Sequence, residues 1–448
     1  MARRGCGGGR LVADRPTEPP RGPWAPFQFS DFRSLFLAAF STTLGSRALA
    51  VVLGYEVYEL TGNPLALGIL GLVEAIPSLS LALYGGHIAD RHDRRSILRI
   101  TLAGLIFCCG ALSLLGAHDF GGLKLTLLYA VVFIAGIARG FAEPAAAALE
   151  AQVVPWEILV NSSTLMASCW TTAAVVGPLW GGLAYQQIGP SRTYLTIGIL
   201  YTLSWVAITR IAPRPRPPAP DGESVWQSVS EGVRYVLGDQ VLLGSMSLDL
   251  FAVLFGGAIA LLPIFARDIL EVGPSGLGML NAAPTAGALV TMLLASRRPP
   301  VRHAGRNLFF AVAGFGVSMI VFALSRTFWL SMLALAASGA CDGMSVVIRR
   351  AINRLFSPDR LRGRIASVSM IFIGSSNELG AFESGVTAAW LGTVRSVWIG
   401  GIVTLLVVAI AAGAAPKLRQ LSLDPGQVVR RDEEVDAELD AEGIESAG

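Results

Sequence analysis

Charged residues are scarce in this 448-residue chain. They make up 15% of it, whereas a typical soluble domain carries about 25%. Hydrophobic residues account for 53%, and the mean hydropathy is +0.57. Apolar stretches of about 20 residues, the length that crosses a hydrocarbon layer of about 30 Å, recur along the whole chain. The composition therefore predicts an all-α polytopic membrane protein and excludes a soluble globular one.

Lysine is nearly absent, since Lys124 and Lys417 are the two in the chain. Neither follows a glycine, so the chain has no GK[ST] phosphate loop and is not by itself an ATP-driven pump of the Walker type. The five cysteines are odd in number and lack CxxC spacing, and the four histidines form no HExxH pattern. We therefore expect no disulfide framework, no metal site and no cofactor. The basic residues are spread along the chain rather than clustered, so we expect no nucleic-acid partner.

Twelve apolar runs are long enough to span a membrane. They lie at 34–57, 66–85, 97–116, 123–143, 162–184, 192–211, 243–265, 276–296, 307–325, 328–347, 366–390 and 396–415. The preceding residues, 1–30, are polar and rich in Gly, Pro and Arg. We expect them to form a disordered cytoplasmic tail and not a cleaved signal peptide.

Lys and Arg are distributed unequally between the segments that connect these spans. Of the 35 in the chain, 28 lie in the alternating set of segments that includes both termini, 5 lie in the other set and 2 lie within spans. Because cytoplasmic loops carry the excess of Lys and Arg, we expect a multi-pass protein of the cell membrane with both termini in the cytoplasm.

The longest segment between spans, 213–242, has two parts. Its first eight residues contain five prolines, which cannot continue a helix. The segment 224–237 then places four valines on one helical face: Val225, Val229, Val233 and Val236. We expect a cytoplasmic linker that ends in an amphipathic helix at the membrane surface.

This linker divides the chain into two halves of six spans each. The first half covers 31–212 and the second covers 243–416. The tail that follows, 417–448, is strongly acidic after residue 423. We expect it to be disordered and cytoplasmic.

The two halves are related by an internal repeat. A shift of 203 residues aligns Gly136 with Gly339, Gly140 with Gly343, Pro155 with Pro358, Gly177 with Gly380, Gly182 with Gly385 and Gly198 with Gly401. Glycine is frequent in the chain, so two or three matches would mean little, but six at one offset indicate a duplication. Two six-helix pseudo-repeats place a substrate path between the halves.

The loop between spans 2 and 3 reads GHIADRHDRR over residues 86–95. It resembles the G-x-x-x-D-[RK]-x-G-R-[RK] loop of the major facilitator superfamily at Gly86, Asp90, Arg91, Arg94 and Arg95. Asp93 stands where that motif has a glycine. A positive-inside loop would explain the arginines, but not Gly86 and Asp90 at their spacing. The resemblance covers all twelve spans and implies the major facilitator fold.

We expect Asp90 to act as a latch between the two halves. Span 11 begins near Gly363-Arg364. The carboxylate of Asp90 would be attracted there by the guanidinium groups of Arg362 and Arg364 and by the positive end of a helix. Such a contact would form when the cytoplasmic side of the protein closes.

Span 5 contains the sequence GPLWGG, which resembles the G-P-x-x-G-G element of superfamily exporters through Gly177, Pro178, Gly181 and Gly182. Small residues let two helices approach closely, and the proline bends one of them. Ordinary small-residue packing is the alternative, because the chain is glycine-rich throughout.

A second resemblance concerns span 4. Arg139-Gly140 is similar to the helix-4 arginine motif of the superfamily, although the predicted end of span 4 at residue 143 places it toward the cytoplasmic side. With Glu143-Pro144 and Gly363-Arg364, the pattern is most similar to the enterobactin-exporter and macrolide-efflux branch.

Ionisable residues inside spans are costly and are therefore candidates for function. They are Arg47, Glu56, Glu74, Arg139, Asp249, Asp342, Glu378 and Glu383. Arg47 and Glu74 lie deepest on adjacent spans, which predicts either a structural ion pair or a proton-linked pair. Glu56 and Glu143 lie near span ends, where we expect solvated side chains. The candidates for proton coupling and translocation are Arg47, Glu74, Arg139, Asp249 and Asp342.

These patterns favour a secondary-active exporter of small amphipathic or hydrophobic molecules, drug-like or siderophore-like, that is driven by protons through alternating access. An importer or a lipid flippase on the same fold, or a non-transporting membrane scaffold, remain the alternatives. We expect no enzymatic activity and a monomer whose partners are a small-molecule substrate, protons and the lipid bilayer.

Overall fold

The computed structural model describes residues 22–213, 225–298, 300, 302–358 and 361–423. Most of the predicted N-terminal tail, the proline-rich part of the linker and the acidic run of the C-terminal tail lie outside the described residues. Everything below refers to the described part of the chain.

The described residues form an all-α structure. Its helices are α1 Ser30–Thr61, α2 Pro64–Arg91, α3 Arg94–Ala117, α4 Lys124–Val153, α5 Leu159–Arg210, α6 Val225–Gly238, α7 Gln240–Gly256, α8 Gly273–Arg297, α9 Ala304–Leu324, α10 Phe328–Leu355, α11 Arg362–Leu391, α12 Thr393–Ala414 and α13 Pro416–Arg419. From Ala258 to Ile269, α7 is extended by short turns of 3-10, α and π geometry. Ten helical segments are long and apolar enough to cross a membrane.

Helix α5 supplies two further passages. Gly189 has φ 76° and ψ 171°, a conformation that favours glycine because it has no Cβ. Pro190 follows and starts a new helical arm. The arms at 159–188 and 190–210 are about 45 and 32 Å long at 1.5 Å per residue. Each can cross the bilayer, and the prediction of twelve transmembrane helices is confirmed.

Several helices extend beyond the predicted spans. Helix α1 ends at Thr61, α4 at Val153 and α10 at Leu355, whereas the apolar runs end at 57, 143 and 347. Hydropathy detects the part of a helix that lies in hydrocarbon, and a polar helical end can project beyond it. Charged residues assigned to loops or span ends therefore lie within helices.

The pseudo-repeat is visible as two equivalent contacts between the halves. A Cβ on Gly182 of α5 would lie 3.1 Å from the Cα of Gly278 in α8 and would clash with the carbonyl of Pro274. A Cβ on Gly385 of α11 would lie 2.7 Å from the Cα of Gly68 in α2. Glycine is required at both crossings because the backbones nearly touch.

These crossings define the two faces of the protein. We call the face from which α1 starts at Ser30 the terminal face, and the face where α1 ends at Thr61 the opposite face. Both glycine crossings lie toward the opposite face, since Gly68 is near the start of α2 and Gly278 is near the start of α8. The loop between α2 and α3 lies on the terminal face.

Candidate functional site

An ion pair between Glu74 of α2 and Arg139 of α4 occupies the middle of the first half. Arg139 lies between two glycines that bring α4 against α2. A Cβ on Gly136 would be 2.6 Å from the carbonyl oxygen of Glu74, and one on Gly140 would be 2.9 Å from that of Ser78. The side chains of Arg139 and Glu74 are 22% and 27% exposed. The pair is therefore tightly held but still reachable by water.

This geometry corrects two expectations. Glu74 pairs with Arg139, not with Arg47 as the sequence suggested. Arg139 lies near the midpoint of α4 and not toward its end, because α4 continues through Pro144 to Val153. Arg47 of α1 faces the same cluster from a third helix, within electrostatic range of Arg139 and Glu143.

The opposing half adds an acidic residue to this cluster. Glu378 of α11 lies within electrostatic range of Arg139 and Glu143, and its carboxylate lies 3.8 Å from where a Cβ on Gly71 would be. Sequence reasoning noted Glu378 inside a span but did not place it among the coupling residues. The missing information was the close approach of α11 to α2, which brings charges from both halves together.

A buried tyrosine, Tyr201, lies next to the charge cluster. Tyr201, in the second arm of α5, is fully buried and faces Ser46 and Arg139. Its ring packs where Gly45 of α1 leaves room, 3.2 Å from the position of a Cβ on that glycine. Tyr201 thus lies beside Arg139 in the protein interior, and no sequence pattern singled it out.

The contact between α2 and α11 ends partway along the two helices. It runs from Gly68 and Gly385 at the opposite face to Leu79 and Gly374, where a Cβ on Gly374 would lie 3.2 Å from the Leu79 side chain. One helical turn further toward the terminal face, on the same stripe of α11, Met370 is 74% exposed. Met370 is therefore not covered by α2, and we infer that the two helices separate there and leave a cleft that opens toward the terminal face.

The opposite face is closed by polar contacts between the halves. Tyr58 of α1 donates a hydrogen bond to Asp268 in the extension of α7. Arg267 donates to the carbonyl of Tyr58 at 3.3 Å.

The expectation that Glu56 is solvated is wrong, because its side chain is buried and only 3% exposed. Its carboxylate pairs with Lys124 at 3.1 Å and accepts a hydrogen bond from Tyr194 at 2.5 Å.

The second half has an ionic cluster of its own. Arg349 of α10 forms an ion pair with Asp249 of α7 and lies 3.7 Å from Asp342. Its Nε also donates to Ser345 at 3.1 Å. Sequence reasoning counted Arg349 as part of a loop, because the predicted span ended at 347. The spacing of 342, 345 and 349, which places all three on one helical face, is the signal that could have found it.

The arginines of the loop between α2 and α3 brace the first half. Arg94 donates to the carbonyl of Ala148 in α4 at 2.9 Å. Arg95 donates at 3.3 Å to the carbonyl of Ile208, near the end of α5. Asp93 caps α3 by accepting from the backbone N–H groups of Arg95 and Ser96, so it replaces the expected glycine with a helix cap.

Two members of the predicted latch have other ionic partners in this conformation. Asp90 lies 3.8 Å from Arg94, one turn along the chain. Arg364 pairs with Glu231 of α6. Gly86 has open space where a Cβ would point, and Arg91 is exposed in the last turn of α2. The Asp90 latch stays a prediction.

The GPLWGG element of α5 joins three helices. A Cβ on Gly177 would lie 2.8 Å from the Cβ of Arg47, and one on Gly181 would lie 2.8 Å from the Cα of Ala48. Gly182 faces α8 in the other half, and Pro178 contributes its carbonyl to the same crossing, opposite Gly278. The element therefore positions Arg47 on one side and holds the two halves together on the other.

Three observations now agree: twelve membrane passages, a twofold pseudo-repeat, and a cluster of charges between the halves. Residues 21–443 match the family of transmembrane secretion effectors. The chain belongs to this family of the major facilitator superfamily. The predicted superfamily and fold are confirmed, and this secretion effector is a membrane transporter, not an enzyme.

Similar proteins extend over nearly the whole chain of this secretion effector. It is 21% identical over 410 residues to the enterobactin exporter EntS of Shigella flexneri, which covers 90% of this chain and 95% of that protein. It is 22% identical over 412 residues to EntS of Escherichia coli O81 (strain ED1a), with the same coverage.

Solved structures share its fold at low sequence identity. A D-xylose-proton symporter has a TM-score of 0.67 and 15% identity, and the match covers 88% of this chain and 99% of that one. A POT family transporter in complex with 5-aminolevulinic acid has a TM-score of 0.68 and 13% identity, with 86% and 96% covered. A bacterial homolog of the human lysosomal transporter Spinster, in an inward-facing and unoccupied conformation, has a TM-score of 0.67 and 14% identity, with 87% and 96% covered.

Within the described residues, no group of three or more His, Cys, Asp or Glu side chains is arranged to hold a metal ion. The charges that the site offers are carboxylates and guanidinium groups. The carboxylates can bind and release protons, and both kinds of group can attract a charged substrate.

Proposed function

We propose that this transporter exports a small amphipathic or hydrophobic molecule across the cell membrane, and that proton movement in the opposite direction drives it. The observation that carries the proposal is the partly exposed Glu74–Arg139 pair within reach of Glu378 from the other half. A charge that is shared between two moving halves can link protonation to their relative position.

The pair can couple a proton to the conformational change in two steps. When Glu74 is ionised, Arg139 is held in the first half, as in the present conformation. When Glu74 takes up a proton, its attraction for Arg139 is lost and the guanidinium group is left with Glu378 and Glu143 as partners. The balance between contacts within one half and contacts across the halves then changes, and this balance decides which face is open.

We further propose that the terminal face is cytoplasmic and that the present conformation is open to the cytoplasm. The ionised Glu74 then belongs to the state that has released its proton inside and is ready to take substrate. Cysteines introduced at Asn63, Asp119 and Thr327 should react with a membrane-impermeant reagent added outside, and one at His92 should not. Labelling of His92 from outside would reverse the orientation.

The latch is proposed to work by exchange of partners. Arg364 pairs with Glu231 in the present conformation, and the side chain of Asp90 is 53% exposed. When the terminal face closes, Asp90 replaces Glu231 beside Arg364. The linker helix α6 would thus hold the start of α11 in the open state, and the loop between α2 and α3 would hold it in the closed state.

The proposal is tested with Glu74→Gln in inverted membrane vesicles, where uptake of a compound panel reports export. Proton-driven uptake should fall at least about a hundredfold, because the neutral amide cannot carry the proton. Exchange of substrate down its own gradient should persist. Glu157→Gln, the same change at an exposed position, serves as the control. Proton-driven uptake at the wild-type rate in Glu74→Gln would remove Glu74 from the coupling.

A further inference from the structure

A cavity of about 500 Å³ lies at the terminal-face end of α9, away from the cleft between the halves. Its lining combines three basic side chains and three apolar ones with the polar side chain of Gln420. They are His303, Arg306 and Arg419, and Phe309, Phe310 and Ala412. A site with basic groups at one end and apolar groups at the other suits a ligand that is both anionic and hydrophobic.

The backbone around the cavity is held in place. The N–H of Gly305 donates to the carbonyl of Leu421 at 3.1 Å, and a Cβ on Gly305 would clash with the carbonyl of Leu418. Glycine is therefore needed for the start of α9 to pack against α13. His303 adopts a left-handed conformation with φ 57°, and its carbonyl accepts from the N–H of Asn307 at 3.0 Å. The backbone that carries the basic side chains is thus held in a fixed position.

The positive charge of the cavity is not neutralised within the described part of the chain. There, neither Arg306 nor Arg419 forms an ion pair, and all three basic residues are exposed. The first turn of α9 adds the positive end of a 21-residue helix. An anion in this cavity would therefore meet attraction from several groups at once.

The apolar side of the cavity extends along α9 toward the membrane interior. This position suits the acyl chain of a lipid, whereas a free anion would have no use for it. Phe310 follows Arg306 by four residues, so its Cα lies about 6 Å further along the axis of α9. It is 68% exposed on the outer surface of the bundle. A membrane-embedded ligand whose phosphate lies beside Arg306 would place the start of its acyl chain beside Phe310. Basic pockets between transmembrane helices bind anionic headgroups in this way.

We propose that this cavity is a binding site for an anionic phospholipid, with its phosphate between Arg306, Arg419 and His303 and an acyl chain along Phe310 and Ala412. The site lies wholly in the second half, where the ends of α9 and α12 meet. It is separate from the proposed path of substrate and protons.

The test measures lipid retention by native mass spectrometry on the full-length protein in detergent. The probes are phosphatidylglycerol, phosphatidylcholine and inorganic phosphate. The wild-type protein should retain phosphatidylglycerol in preference to phosphatidylcholine and should not bind phosphate detectably. Arg306→Gln with Arg419→Gln should weaken retention of phosphatidylglycerol about thirtyfold, the loss expected for two basic contacts near a membrane surface.

Two further variants separate the site from general charge effects and from misfolding. Arg297→Gln with Arg298→Gln removes the same charge from exposed positions near the end of α8, outside the cavity, and should keep wild-type retention. Arg306→Lys with Arg419→Lys keeps the charge and should recover most of the binding.

Three outcomes would overturn the proposal. Equal retention of phosphatidylcholine would mean a merely apolar groove. Binding of inorganic phosphate as tight as that of phosphatidylglycerol would mean a simple anion site. Equal losses in the cavity variant and the control variant would mean that net charge, and not this cavity, attracts the lipid.

Discussion

Each half of the transporter places an arginine beside a carboxylate, yet the two pairs have different surroundings. In the first half, Arg139 and Glu74 are 22% and 27% exposed and join α4 to α2. In the second half, Arg349 and Asp249 are 11% and 9% exposed and join α10 to α7 within one half. The first pair also faces Glu378 across the interface.

This difference separates a pair that can take part in a cycle from one that holds a structure together. Burying two charges costs free energy, which their attraction repays only while both partners remain in place. A buried pair therefore resists any change of charge. A partly exposed pair with a second acidic partner nearby can lose or exchange a proton at lower cost. We expect function to depend on the first pair and stability on the second.

The largest effect is expected from Arg349→Gln. It leaves Asp249 and Asp342 without their guanidinium partner, and breaking a buried pair costs about 3–5 kcal/mol. The thermal unfolding midpoint in detergent should fall clearly. Arg139→Gln is the matched change in the first half and should lower the midpoint less while abolishing proton-driven transport. Equal midpoints for the two variants would remove the distinction between the pairs.

The next effect concerns the two glycine crossings on the opposite face. Gly182→Ala or Gly385→Ala forces the backbones apart at a cost of about 1–3 kcal/mol, which shifts the populations toward opening of that face by about fivefold or more. A cysteine at Ala381, in a cysteine-free chain, should then react faster with reagent added at the opposite face. Gly104→Ala is the control, since a Cβ there meets open space. If the cysteine is labelled at the same rate in Gly182→Ala and in Gly104→Ala, the crossings do not close that face.

Glu378→Gln should slow transport on the order of tenfold, a coupling free energy of ordinary size between two sites. The change removes the acidic partner that the second half offers to Arg139, while the protein remains folded. Glu383→Gln, on the same helix and only partly buried, should have little effect. Initial rates of proton-driven uptake in inverted vesicles give the comparison. A larger loss in Glu383→Gln than in Glu378→Gln would transfer the role to the other carboxylate.

The smallest effect is expected at the latch. Asp90 is half-exposed, so its contact with Arg364 should contribute about 1 kcal/mol or less. Asp90→Asn should slow transport about fivefold and raise the accessibility of the cleft from the terminal face. Glu231→Gln should lower that accessibility, because it removes the carboxylate that competes with Asp90 for Arg364. Accessibility is read from the labelling rate of a cysteine at Met370.

A charge exchange sharpens this last prediction. Asp90→Arg with Arg364→Asp should recover part of the lost rate if the two side chains meet during the cycle. If Asp90→Asn and Glu231→Gln change the accessibility in the same direction, the exchange of partners does not occur.

The sequence alone determined the architecture. A scarcity of charge, twelve apolar runs and six matches at one offset were sufficient to predict an all-α membrane protein of two related halves, because hydropathy and helix length depend on local composition. The superfamily could also be identified from a short motif, since Gly86, Asp90 and the loop arginines occur at a fixed spacing within one stretch of the chain.

The partners of the charged residues were decided by the tertiary structure. Sequence indicated that Glu74 lies deep in a span, but not that α4 continues past Pro144 and brings Arg139 to it. The role of Arg349 was not predicted because the apolar run ends at 347, whereas the helix continues to Leu355. Glu378 gained its place from the crossing of α11 and α2, which are separated by some 300 residues along the chain. The contacts of Glu74 and Glu378 depend on how distant helices pack, and no local pattern encodes them.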